Sequence, residues 1–175
     1  MNFMDLVKLR KSVRAFVPGK EIDTKTLNKI LDAARLAPSA KNLQEWKFIV
    51  VRDKNTLSKL VPACKGQGFV GESAVLIAGC ADKTDYTMTC GQYAYTVDLA
   101  ISLEHMVLMA AELGIGSCWI GAFYEDKVKE ILGIPSNVRI VNMLILGYPT
   151  HDLSKIVTTT RKELDEIVCY DKWTF

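Results

Sequence analysis

Residues 92–113, QYAYTVDLAISLEHMVLMAAEL, constrain this chain more than any other stretch. They are its longest apolar segment, yet they contain Asp98, Glu104, His105 and Glu112. A membrane span needs about 20 residues with few or no charges. The segment therefore reads as a helix buried in a protein core. Two apolar runs lie on either side of it. AVLIAGC is bounded by Ser73 and Asp82, and VRIVNMLILGYP begins at Val138. Both read as strands, the first as a fully buried one. A core helix between two strands places the fold in the α/β or α+β class.

The other elements follow from period and punctuation. DLVKLRKS is a short helix with Leu6, Val7 and Leu9 on its apolar side. Asp23 or Thr24 caps a second helix carrying Leu27, Ile30, Leu31, Ala34 and Leu36, which Pro38 stops. WKFIVVRD is a strand, and TLSKLV is a brief helix ended by Pro62. Gly114 stands where a left-handed cap closes the long helix. SCWIGAF is a strand or strand end, and EDKVKEILG is an amphipathic helix closed by Gly133 and Pro135. No internal repeat or linker composition divides the 175 residues, so residues 1–175 are expected to form a single domain.

Composition excludes several functions. Hydrophobic residues are 49% and charged residues 24%, an ordinary globular balance. A net charge of +2, from 22 basic and 20 acidic side chains, is too small to argue for a nucleic-acid surface, so any anion site must come from local clustering. Five cysteines without a CxxC pair and only two histidines argue against a disulfide framework and a zinc site. MNFMDLVKLRK lacks the apolar core of a signal peptide, and the cytoplasm is the expected compartment.

Four stretches could carry chemistry, and each has a plainer reading. Arg10, Lys11, Ser12 and Arg14 place three cations and a hydroxyl within five residues. They suit phosphate oxygens, or are a solvated run near a helix C-terminus. APSAKNLQEW puts a hydroxyl and two amides between a helix and a strand. They hold either a ligand or only their own loop. GIGSCWIGAF fails the dinucleotide fingerprint, because it precedes a strand and lacks the third glycine. Within it Gly121, at a strand end, permits close approach of something flat. Arg161, with Lys162, follows a threonine run and is otherwise a surface cation. No serine or cysteine has a plausible histidine partner, and no carboxylates form a suggestive pair. Neither a side-chain nucleophile nor a side-chain acid or base is expected. The tail, RKELDEIVCYDKW, carries more apolar groups than a free end should, and needs a surface to cover.

Taken in order, RKSVRAF, APSAKNLQEW, GIGSCWIGAF, ILGYP and RKELDEIVCYDKW resemble the nitroreductase family of flavin enzymes over nearly the whole chain. The resemblance implies an α+β fold with a mixed central β-sheet flanked by helices. It also implies an intertwined homodimer with a C-terminal extension and FMN at the subunit interface. By position, Arg10, Lys11, Ser12 and Arg14 would hold the flavin's phosphate, ribityl chain and pyrimidine edge. Pro38, Ser39, Ala40 and Asn42 would reach the isoalloxazine from the partner subunit. Ile120 and Gly121 would lie along the ring's other side, Gln67 near the pyrimidine edge, and Arg161 at the phosphate. The implied activity is electron transfer from NAD(P)H through FMN to a small organic acceptor, such as a nitroaromatic or quinone. The alternative is an FMN carrier or sensor without turnover. Two departures are visible. Glu45 stands where the family usually has proline. The long helical excursion of many relatives is replaced by DKTDYTMTCGQ.

Overall fold

The computed structural model describes residues 2–155 and 161–175. Four strands form its sheet: β1 (Trp46–Val51), β2 (Val75–Ala81), β3 (Gly116–Ile120) and β4 (Arg139–Gly147), in the order β1-β2-β4-β3. All seven residues of β2 are buried, as its apolar run requires of an interior strand. Every ladder between these strands is antiparallel. The parallel contribution to a mixed sheet is one bridge, Ser12 beside Ser117.

The described residues form six α-helices, all but the first packed on the sheet: α1 (Phe3–Leu9), α2 (Thr24–Arg35), α3 (Lys54–Ala63), α4 (Phe69–Glu72), α5 (Ala94–Glu112) and α6 (Glu125–Leu132). Side chains alternate across the sheet with period two. Val75, Ile77, Leu144 and Leu146 pack with Leu103, Met106 and the α2 residues Leu27 and Ile30. Leu76, Ala78, Met143 and Ile145 pack with Leu57, Leu60, Val70 and Val128. The layers are therefore α2/α5, sheet, and α3/α4/α6. Helix α5 is long and apolar enough to cross a membrane, and 56% of it is buried in this core.

Local chemistry sets the helix ends. The Asp23 carboxylate accepts from the Thr26 amide at 2.9 Å, and Asp53 does the same for Thr56 at 2.7 Å. Gly114 and Gly133 take the left-handed conformation after α5 and α6. Two expectations need correction. Leu36 lies beyond the last turn of α2 and is 65% exposed. Pro62 lies inside the last turn of α3 and does not end it. The bond it cannot donate is lost there, and the turn still closes two residues on, from the Cys64 amide to the Leu60 carbonyl at 2.8 Å.

Candidate functional site

Helix α1 ends at Arg10, whose amide closes on the Leu6 carbonyl at 3.0 Å. The chain then runs along the edge of the sheet. The Val13 amide donates to Ser117 O at 2.8 Å, and the Val17 amide donates to Tyr148 O at 2.8 Å. Phe16 bridges Pro149. Val13 and Phe16 point inward and are buried, while Ser12 and Arg14 are exposed. Two glycines admit this crossing. A Cβ on Gly116 would stand 2.9 Å from Val13, and one on Gly147 would stand 2.6 Å from the Phe16 ring. The 10–14 stretch is thus a held edge beside β3, with cations on its outer side. The Arg14 guanidinium lies 6.0 Å from the Phe69 ring centroid.

Strand β3 ends in the same region. The Ile120 side chain is fully buried in the α3/α4/α6 layer, so only its backbone could meet a flat ligand. Gly121 is exposed, and the nearest atom to a Cβ there would be Asn142 Nδ2 at 3.9 Å. Unlike Gly116 and Gly147, Gly121 is not required by any close contact within the described residues. Gln67 Nε2 donates to Cys64 O at 2.8 Å and to Ala122 O at 3.1 Å. It ties the end of α3 to the residue after Gly121, and both of its amide hydrogens are engaged.

The 38–45 loop sits elsewhere. Its backbone is anchored by α5: the Ala40 amide donates to both carboxylate oxygens of Asp98 at 3.1 Å. Ser39 Oγ accepts from the Gln44 amide at 3.1 Å, and Gln44 Nε2 donates to Asn42 O at 3.2 Å. The hydroxyl and one of the two amides therefore hold the loop itself. The Asn42 side chain is exposed. Lys41, Asn42 and Gln44 have φ of 52°, 56° and 51°, left-handed values that cost non-glycine residues energy. Glu45 is only 6% exposed, and its Oε2 has no hydrogen-bond partner. Burial, with Asp85 and Asp98 nearby, pushes its carboxyl above the usual range.

Within one chain, Arg10, Lys11, Ser12, Arg14, Gln67, Ile120 and Gly121 gather around β3 and the α3–α4 connection. Pro38, Ser39, Ala40 and Asn42 stay with α5, which covers the other face of the sheet. Arg161 is exposed, and the threonine run before it lies outside the described residues. Sequence reasoning missed Asp98 as the loop's anchor and Phe69 as the neighbour of Arg14. A carboxylate interrupting an apolar helix was the available signal for Asp98. Burial raises the thiols of Cys64 and Cys80 to about 11, so neither is a ready nucleophile. Among the described residues no group of three or more metal-ligating side chains exists.

The model of the Nitroreductase family matches residues 7–87 and 67–148. An NADH dehydrogenase of Thermus thermophilus is 30% identical over 174 residues, covering 82% of this chain and 84% of that protein. The solved structure of a nitroreductase family protein from Clostridium difficile superposes with a TM-score of 0.86 at 32% identity, covering 99% of this chain and 100% of that one. An FMN-dependent nitroreductase from Clostridium difficile superposes with a TM-score of 0.80 at 29% identity, covering 98% and 100%.

Proposed function

The chain belongs to the nitroreductase family, and from that premise we propose that it is an NAD(P)H-dependent oxidoreductase working through FMN held by one domain, residues 1–175. The observation that carries this reading is the meeting of two segments a hundred residues apart in sequence. The Ser12–Ser117 bridge sets the cationic 10–14 edge beside β3, the strand that Gly121 follows. A phosphate-bearing, flat ligand needs cations at one end and unobstructed backbone at the other. The solved relative that is FMN-dependent supports the choice of FMN.

In this reading Arg10, Lys11 and Arg161 hold the phosphate, and guanidinium groups suit its oxygens. Ser12 and Arg14 hold the ribityl chain and pyrimidine edge. The Gly121 amide lies against the ring where a side chain would keep it away. Gln67 contributes by fixing Ala122, since its amide hydrogens are already engaged. Pro38, Ser39, Ala40 and Asn42 approach from the partner of a homodimer. When bound, FMN supplies the two-electron chemistry between NAD(P)H and a small organic acceptor. The protein binds and orients, and Arg14 places positive charge at the pyrimidine edge, where electron transfer builds negative charge. No side-chain acid or base is assigned.

An absorbance spectrum of the purified protein followed by anaerobic NAD(P)H titration tests this. A flavin spectrum that bleaches within seconds to minutes is expected, with NADH or NADPH as donor. Parallel reciprocal plots are expected in steady state, because donor and acceptor use one site in turn. A flavin that neither nucleotide bleaches overturns the reductase reading in favour of a carrier or sensor.

A further inference from the structure

The 39–45 loop contains an anomaly that neither the fold nor the proposed activity uses. Glu45 is buried, and its Oε2 receives no hydrogen bond. Such a carboxylate is costly when ionised. The backbone around it is also costly, with three left-handed non-glycine residues in four positions. Two unfavourable arrangements in one short loop persist only while something offsets both.

The groups that face Glu45 come from every neighbouring element. Helix α5 presents Asp98, whose carboxylate already takes the Ala40 amide. The stretch after β2 presents Asp82, Lys83 and Asp85. Three carboxylates thus oppose a fourth negative charge, and one lysine favours it. The other nearby cations are otherwise engaged. Lys47 pairs with Asp82 at 3.5 Å, and Lys41 lies 4.3 Å from the centroid of Tyr86. Protonated, Glu45 carries no charge for those carboxylates to oppose. Ionised, it is a buried anion with one oxygen unpartnered, among like charges.

We infer that Glu45 is a proton-operated latch: neutral, it holds the 39–45 loop in the strained conformation seen here, and ionised, it leaves the core and lets the loop relax. The sign follows from the direction of its titration. Burial raises the folded carboxyl above its unfolded value, so the fold binds this proton more tightly than the open chain does. The latch's contribution is complete below the ordinary carboxylate range. It is lost as pH rises through the raised value. Under the flavin reading, on which this consequence rests, a relaxed loop no longer closes the partner's ring, so FMN retention falls as pH rises.

Two measurements on the full-length protein separate the latch from the flavin. The first needs no FMN. Trp46 adjoins Glu45 and is 9% exposed. In a Trp119→Phe, Trp173→Phe background its emission should shift with a single titration above the usual carboxylate range, and Glu45→Gln should abolish that transition. A Trp46 signal flat from pH 4 to 9, or one unchanged by Glu45→Gln, overturns the latch. The second measures FMN affinity on either side of that transition. Affinity should fall severalfold with rising pH in the parent protein and stay level in Glu45→Gln. A Trp46 transition without any FMN binding keeps the latch and rejects the flavin reading. Equal pH profiles for FMN in both proteins reject the latch's link to the flavin. Glu45→Asp, too short to reach the same place, should titrate nearer the ordinary range if burial is the cause.

Discussion

Gly147 and Gly121 are the same residue under opposite constraints. At Gly147 a methyl group would stand 2.6 Å from the Phe16 ring, which is buried and has nowhere to go. Gly147→Ala should cost about 1–3 kcal/mol, as overpacking does, and lower the thermal midpoint. At Gly121 the same methyl finds nothing within the chain closer than 3.9 Å. Gly121→Ala should leave the midpoint nearly unchanged yet weaken FMN binding, measured by flavin release on dilution. Equal destabilisation by both would remove the reason for reading Gly121 as a ligand contact. Glu125 tests the opposite sign to Glu45. Burial alone would raise its carboxyl. Hydrogen bonds from Arg139, the Ile140 amide and Lys129 outweigh that and hold it below the usual range. Its contribution is present above the unfolded carboxylate value and is lost as pH falls through the folded one. Glu125→Gln should therefore destabilise by about 1–3 kcal/mol at neutral pH, with the gap to the parent closing on acidification below about pH 4. At this scale the sequence was only partly legible. Arg14 and Gly121 stood out by type and place. That Phe16 explains Gly147, and that Gln67 would spend its hydrogens on Cys64 and Ala122, depend on contacts between residues far apart in sequence.

Helix α5 shows how an element does two jobs with one stripe of residues. Leu103, Met106 and Ala110 fill the core, while Asp98, one turn in, holds the loop after α2. Replacing Asp98 with Ala leaves the Ala40 amide without its acceptor. The expected loss is about 1–3 kcal/mol, with Asp98→Asn costing less because one neutral acceptor remains. Hydrogen exchange should quicken at Ala40 and Gln44 and stay slow in the middle of α5. Uniform quickening along α5 would mean that Asp98 supports the helix and not the loop. Elements were the most legible scale. Apolar runs gave β2 and β4, and Asp23 or Thr24 gave the start of α2; TLSKLV located α3 but missed its first turn, which Asp53 caps. Their ends were less so. Pro62 stays inside α3 at the loss of one amide bond, and the turn still closes through the Cys64 amide on the Leu60 carbonyl. The antiparallel pairing of β1, β2, β4 and β3 was not readable from any one strand, since pairing is a property of two.

The whole molecule leaves a set of apolar groups that one chain cannot cover. Leu164, Tyr170 and Trp173 are 68%, 81% and 82% exposed at the C-terminal end. Helix α1 buries none of its residues, with Phe3 68% exposed, and α5 leaves Val97 open on an otherwise packed helix. Isolated exposed apolar residues are ordinary, but clusters of this composition in α1 and residues 164–175 are a surface that the proposed homodimer would cover. The arrangement of the candidate site points the same way. The 10–14 edge and Gly121 lie with the α3/α4/α6 layer, whereas the 38–42 loop is held by α5 on the other face. One chain does not bring these two groups of residues together, and the proposed homodimer would supply the missing half from a second copy. The protein should therefore sediment at twice its 19.5 kDa chain mass with or without FMN, since the apolar surfaces exist before the ligand arrives. Removing residues 163–175 should take away the wrapping segment and bare the surface beneath it, giving dissociation or aggregation together with loss of FMN. A truncated protein that stays soluble, monomeric and saturated with FMN would place the whole site within one subunit. The 38–42 loop would then have to reach the flavin from its own chain, across the sheet from where Asp98 now holds it.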